Sequence, residues 1–556
     1  MNRPNVFHRL LLAVLAALAS PAIRSDGQYP EIDALFADYG AATPGCALGV
    51  MRDGEFAYRQ GYGMANLEHE IPIASSSVFR IGSTSKQFTA AAVALLAEQG
   101  KLRLDDPMAR YFPEFPPWAD GVTVMNLVNH SSGIRDYLQL TWLQGLVNDA
   151  DYYSDDYALE LLARQRETNF PPGTEYLYSN SGYLLLAHLV ERVSGQSLKE
   201  YAAANIFGPL GMANSHFHDD HTHIVPGRAS GYAPREEGFR ISETTLDMVG
   251  DGGVYTSVDD LLFWERNFEV NRLGGSDELI DRLTTPGFFS DGRPMDYAFG
   301  LTVETYRGLD VVHHGGAFVG YRAIFMRFPT ERLAITLLCN RSDAEPEARA
   351  FAVADVLLSG RLAPPGVTAD SATDFPVEES ELGRYVGDFW NEEEGFAAET
   401  ALEDGKLWAV HSPERRNELK PVGENRFVML DVPARVVIDF EVEDGRVTGM
   451  RRTINGKPRG AFTPFQRRQA TPGELRAYAG SYYSPELATW NRFYVDESRL
   501  LLKLAEVEPM VLTPMFEETF EHPDWGAFEF ERTADGAVGG FRLQSGRVRN
   551  LAFERR

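Results

Sequence analysis

The chain has 556 residues, 44% of them hydrophobic and 24% charged, with a net charge of −27. That length is more than one core holds, so several domains are expected. So acidic a balance argues against nucleic acid and anionic membranes as partners.

Taken from the start, Arg3, His8 and Arg9 precede an apolar run over 10–18 that ends in the small-residue site Ala17-Leu18-Ala19. This is the pattern of a secretory signal peptide over 1–19, which implies a periplasmic or secreted protein. The run is too short to span a bilayer, and no later stretch reaches the roughly 20 apolar residues a spanning helix needs. Cys46 and Cys339 are the only cysteines, and both fall in apolar, strand-like segments.

Ser83-Thr84-Ser85-Lys86 opens an Ala- and Leu-rich helical run. At i and i+3 its hydroxyl and amine face the same way. A serine is a poor nucleophile until a base takes its proton, and a desolvated lysine can be that base or can hold another base ionised. The unpaired N–H groups of a helix start would also stabilise an oxyanion beside Ser83. Tyr178-Ser179-Asn180 follows a Pro-Pro-Gly turn at 171–173 and precedes an apolar helical segment over 184–193, which places Tyr178 and Asn180 on an ordered loop. His313-His314-Gly315-Gly316-Ala317 precedes predicted strands over 321–328 and 333–338, joined by a turn at 329–332. The two glycines would let a substrate backbone lie close to that edge. No His-Glu-x-x-His and no phosphate-type glycine loop is present, so neither a metal nor a nucleotide cofactor is implied.

The C-terminal third repeats itself. Leu382, Tyr385, Gly387 and Phe389 recur 93 positions on as Leu475, Tyr478, Gly480 and Tyr482. Phe427 likewise maps onto Phe520, and with a two-residue adjustment Gly445 maps onto Gly536. Each copy alternates short apolar runs with Gly, Asp or Pro turns, the pattern of a small antiparallel barrel.

Ser83/Lys86, Tyr178/Asn180 and His314/Gly316 stand in the order of the three motifs of the penicillin-recognising serine hydrolases, the group of class C β-lactamases, D,D-peptidases and related esterases and aminopeptidases, which this sequence resembles. Segments 129–137, 206–212 and 250–261 are similar to stretches of that family as well. Within it the nearest resemblance is to the bacterial D-aminopeptidases. The resemblance implies an α/β β-lactamase-like catalytic domain over 26–362, an antiparallel sheet flanked by helices, followed by two small antiparallel β-barrels over 376–468 and 471–556. It implies an acyl-enzyme on Ser83, with Lys86 and Tyr178 sharing the base role. Here the lysine charge would lower the phenol, and which of the two is the base stays open. Asn180, His314, Gly316 and Ala317 would bind substrate, with the N–H groups of Ser83 and Ala317 as oxyanion hole.

His314 stands where β-lactamases usually carry lysine, which weakens attraction for an antibiotic carboxylate and fits aminopeptidase, amidase or esterase members. Arg135, Asp136 and Asp251 read as loop-structuring residues outside the catalytic set. In the family's sheet the first and last strands are neighbours, so Cys46 and Cys339 form either a cross-strand disulfide or two buried thiols. A loop of the last barrel, taken as 514–525 with Glu517, Glu518, Glu521 and Asp524, would cap the site, unless it is an ordinary solvated hairpin. The expected substrate is a small peptide, amide or ester, above all one with an N-terminal D-residue. Loops such as 138–157 would shape its pocket. A β-lactamase, a D,D-carboxypeptidase, a carboxyl esterase and a non-catalytic acylated receptor are the alternatives, and a homodimer is open to the chain.

Overall fold

The computed structural model describes residues 29–276, 278–363, 375–392, 394–412, 415–432, 435–454, 456–504 and 508–556. The signal peptide read over 1–19 lies outside them.

Six antiparallel strands form the central sheet: β1 (Cys46–Arg52), β2 (Glu55–Tyr62), β3 (Thr302–Tyr306), β4 (Leu309–Phe318), β5 (Tyr321–Phe328) and β6 (Leu333–Cys339), in the order β3-β4-β5-β6-β1-β2. Both faces of β1 are covered. Cys46, Leu48 and Val50 enter one apolar cluster while Ala47 and Met51 enter another, the two-residue alternation of a strand buried on both sides. The first cluster lies under the helix Pro346–Leu357. The second is built on α1 (Lys86–Glu98), in which every residue over 90–94 is fully buried, so the Ala-rich run serves as a central helix packed all round. Cys46 and Cys339 face each other across β1 and β6 and are disulfide-bonded.

Beyond the sheet, the strands from Gly387–Asn391 to Lys457–Phe465 close one eight-stranded barrel, and those from Gly480–Ser484 to Val548–Arg555 close a second. The repeated aromatics point inward in both, Tyr385, Phe427 and Phe440 in the first and Tyr478, Phe520 and Phe530 in the second. The sheet, helices and two barrels are thus the architecture the family resemblance implied.

Segment 514–525 does not cap the site. Phe516 packs against Trp390 of the first barrel, Glu521 accepts from Ala397 N and pairs with Arg467, and Glu518 pairs with Arg532. Glu518 and Glu521 are thus engaged within the barrels, and none of the four acids lines the cavity around Ser83. Trp525 at the end of this segment packs on Trp142 of the catalytic domain, but the element that enters the cavity is a different one, the hairpin tip Ser545-Gly546-Arg547.

Candidate active site

Ser83 lies in a short 3₁₀ turn, Gly82–Ser85, that runs straight into α1. Gly82 sits at φ 51°, and a Cβ there would meet Ala317 N at 2.8 Å. A Cβ on Gly316 would meet Ile81 O at 1.9 Å. These two glycines let the Ser83 turn and the β4 edge approach each other, and the Thr84 hydroxyl, donating to His314 O at 3.1 Å, fixes the register.

Lys86 is fully buried. Its Nζ lies 3.2 Å from Ser83 Oγ, 2.9 Å from Asn180 Oδ1 and 2.6 Å from Asp251 O. Burial pulls its pKa down to about 7, against the pull of the Asp251 and Asp136 carboxylates in the other direction. Nζ also sits 4.8 Å from the centre of the Tyr178 ring. The Tyr178 phenol behaves differently from expectation: burial drives it well above its ordinary value, and the neighbouring Ser83 hydroxyl opposes that rise without a fully formed hydrogen bond. The lysine charge does not lower it, because removing the phenolate from water outweighs every nearby charge.

Asn180 is not on a loop but is the first residue of α2 (Asn180–Ser194), which starts earlier than the apolar pattern over 184–193 suggested. The reason is Asp136, whose Oδ2 accepts from Asn180 N at 2.7 Å and from Asn180 Nδ2 at 2.9 Å. The carboxylate satisfies the first turn and orients the amide, leaving Oδ1 to Lys86. Asp136 is therefore a site residue the sequence did not reveal. Asp251 enters through its carbonyl on Lys86, while its side chain accepts from Tyr137.

On β4, His314 and His313 point to opposite faces. His313 pairs with Glu304 at 2.9 Å. His314 Nδ1 donates to Gly315 O at 2.6 Å, so Nε2 accepts from the Tyr297 hydroxyl at 2.9 Å. Burial, reinforced by the Lys86 charge, lowers His314 to about 3, which makes it a neutral group at physiological pH.

From the second barrel Arg547 enters the part of the cavity next to Tyr178. Its guanidinium lies 4.8 Å from the Tyr178 ring centre and 3.4 Å from Asp136 Oδ2. Its carbonyl accepts from Asn169 Nδ2 and from Asp136 N. Arg135, wholly buried, ties the same barrel down through Glu486 at 2.6 Å. A cavity of about 1730 Å³ joins Ser83, Tyr178, Asn180, His314 and Arg547. Among the described residues no group of three or more His, Cys, Asp or Glu is arranged to hold a metal, and no helix is long and apolar enough to cross a membrane.

Residues 32–358 match the family model described as Beta-lactamase. A D-aminopeptidase of Gluconobacter oxydans (strain 621H) is 31% identical over 466 residues, covering 83% of this chain and 82% of that protein. A D-aminopeptidase of Cereibacter sphaeroides (strain ATCC 17023) is 33% identical over 321 residues, 57% of this chain and 60% of that one. Among solved structures, an octameric penicillin-binding protein homologue from Pyrococcus abyssi superposes with a TM-score of 0.54 at 24% identity, over 78% of this chain and 98% of that one. A D-amino acid amidase from Ochrobactrum anthropi SV3 does so with 0.51 at 21%, over 60% and 100%. These two likenesses speak for the fold. The family match and the first of these relatives go further: the chain belongs to the beta-lactamase family and is a serine hydrolase of that kind.

Proposed function

We propose that the chain is a D-aminopeptidase-like amide hydrolase that releases N-terminal D-residues from small peptides or amides through an acyl-enzyme on Ser83. The observation that carries this reading is the 3.2 Å contact between Ser83 Oγ and a buried Lys86 whose pKa is about 7. A neutral amine has two N–H groups and one lone pair. The two shorter bonds, to Asn180 Oδ1 and Asp251 O, take the N–H groups and aim the lone pair at Ser83. Lys86 is then the base. It takes the Ser83 proton as Oγ attacks the carbonyl carbon, the oxyanion is received by the N–H groups of Ser83 and Ala317, and the proton passes to the leaving amine as the C–N bond breaks.

Tyr178, held protonated by burial, hands protons across this gap, and Asn180 holds the substrate amide with its remaining N–H. Gly316 keeps the edge of β4 open to the substrate backbone. A neutral His314 supplies no charge of its own to an antibiotic carboxylate. The names of the relatives at 31–33% identity support the D-residue preference.

Turnover of D-alanine p-nitroanilide, beside its L-enantiomer, a chromogenic cephalosporin and p-nitrophenyl acetate, tests the reading. Selective cleavage of the D-anilide is expected, reduced at least about 10³-fold in Ser83→Ala. Activity confined to the cephalosporin or the ester would overturn the aminopeptidase assignment. The rate should rise with pH through an inflection near 7, as Lys86 loses its proton.

An exported location belongs to the same proposal, supported by the disulfide. Sequencing of the mature amino terminus should begin at Ser20. The domain limits 26–362, 376–468 and 471–556 are likewise proposed, supported by barrels that run from Gly387 to Phe465 and from Gly480 to Arg555.

A further inference from the structure

Arg80 lies in the short strand Phe79–Arg80, three residues before Ser83, and is only 4% exposed. Its guanidinium makes no hydrogen bond and no ion pair among the described residues, and Nε is fully enclosed without a partner. Asp251 feels its charge but does not pair with it, and that carboxylate is already held by Tyr137. A buried arginine without an anion is costly, since cations that leave water are ordinarily matched by a carboxylate or by several carbonyls.

Two further features give this charge a purpose. Arg80 forms part of the wall of the catalytic cavity beside Ser83, and its planar head lies 4.8 Å from the centre of the Phe318 ring, the residue next to Ala317 on β4. The ring supports the cation without satisfying its N–H donors, and a guanidinium at a cavity wall is suited to receive a carboxylate with two parallel hydrogen bonds. His314 cannot do this work, being neutral and committed to Tyr297.

We infer that Arg80 is the seat for a carboxylate on the substrate, so that this enzyme prefers anionic substrates to their neutral counterparts. The inference rests on acylation of Ser83 in the same cavity. The carboxylate comes either from the terminus of the leaving residue or from an acidic side chain on the residue that is transferred.

The test is competition against p-nitrophenyl acetate with the full chain, using two matched pairs of ligands. N-acetyl-D-alanine against N-acetyl-D-alaninamide probes a terminal carboxylate, and D-glutamic acid α-amide against D-glutamine α-amide probes a side chain. In the wild type one carboxylate should inhibit about 10- to 100-fold better than its neutral twin, and the pair that does so identifies the source. Arg80→Met should bring that ratio to about one. Arg80→Lys, which keeps the charge but loses the fork, should retain only part of it, and decides the matter if Arg80→Met does not fold.

A ratio near one for both pairs in the wild type, or one unchanged in both Arg80 variants, would overturn the assignment. So would a ratio that survives Arg80→Met and vanishes in Arg547→Met, which would move the seat to the barrel hairpin. Should the ester not be turned over through Ser83, the hydrolase reading fails by itself. The same four ligands measured by calorimetry then still decide the role of Arg80.

Discussion

The two barrels share a sequence pattern and a strand count, yet they relate to the active site in different ways. The first has its own apolar core, built on Tyr385, Phe427 and Phe440, and a small separate cluster in which Trp390 meets Met515 of the second. The interior of the second is continuous with the helical side of the catalytic domain, through contacts such as the 4.4 Å pair of Trp142 and Trp525. Polar contacts follow the same division: Arg135 reaches Glu486, Gln144 reaches Leu487 O, and Asn169 brackets the backbone around Arg547. The hairpin tips make the contrast sharpest. By the repeat alignment Arg547 corresponds to Gly456, so the same turn carries a guanidinium into the site in one copy and no side chain in the other. Both barrels border the large cavity, but only the turn of the second places a side chain against Tyr178 and Asp136 among the described residues.

Glu486→Ala should break this arrangement most severely. It leaves the Arg135 charge buried and without its principal partner, at a cost of about 3–5 kcal/mol, read as a fall in the midpoint of denaturant unfolding. Trp525→Ala should cost about 3 kcal/mol by the same measurement, with the loss falling on the seam between the catalytic domain and the second barrel. Arg547→Ala removes the cation over Tyr178 and one partner of Asp136. It should lower kcat/KM for the preferred amide by about 5- to 10-fold while the unfolding midpoint barely moves. Glu403→Ala, which breaks an ion pair with Arg416 on the exposed wall of the first barrel, should change stability by less than about 1 kcal/mol and leave turnover alone. A large loss from Glu403→Ala, or none from Glu486→Ala, would erase the distinction between the barrels.

Much of this could be read from the residues in advance. Ser83 and Lys86 meet because helical spacing brings i and i+3 together, and the repeat announced two barrels because side-chain alternation and turns survive divergence. The contributions that stayed hidden are long-range and depend on single side chains. Arg547 lies far along the chain from Ser83 in a Ser-Gly-Arg turn like any other on a surface, whereas the acids of 514–525 drew attention by composition alone. Asp136 looked like a loop residue because its function is to start α2 from across space. The pKa of Tyr178 depends on how much water is excluded, which no local pattern records.

The bond between Cys46 and Cys339, 293 positions apart, gives the catalytic machinery a closed outline. Ser83, Lys86, Tyr178, Asn180, His314, Gly316 and Ala317 all lie inside this covalent ring, and the barrels lie outside it on the chain that follows Cys339. A protease that cuts one loop inside the ring linearises it without separating the halves, so Ser83, Lys86 and the strand that carries Ala317 stay tethered. A cut in the chain that follows has no such safeguard. In an oxidising environment rich in peptidases, the tethered domain would then outlast the barrel hairpin that places Arg547 beside Tyr178.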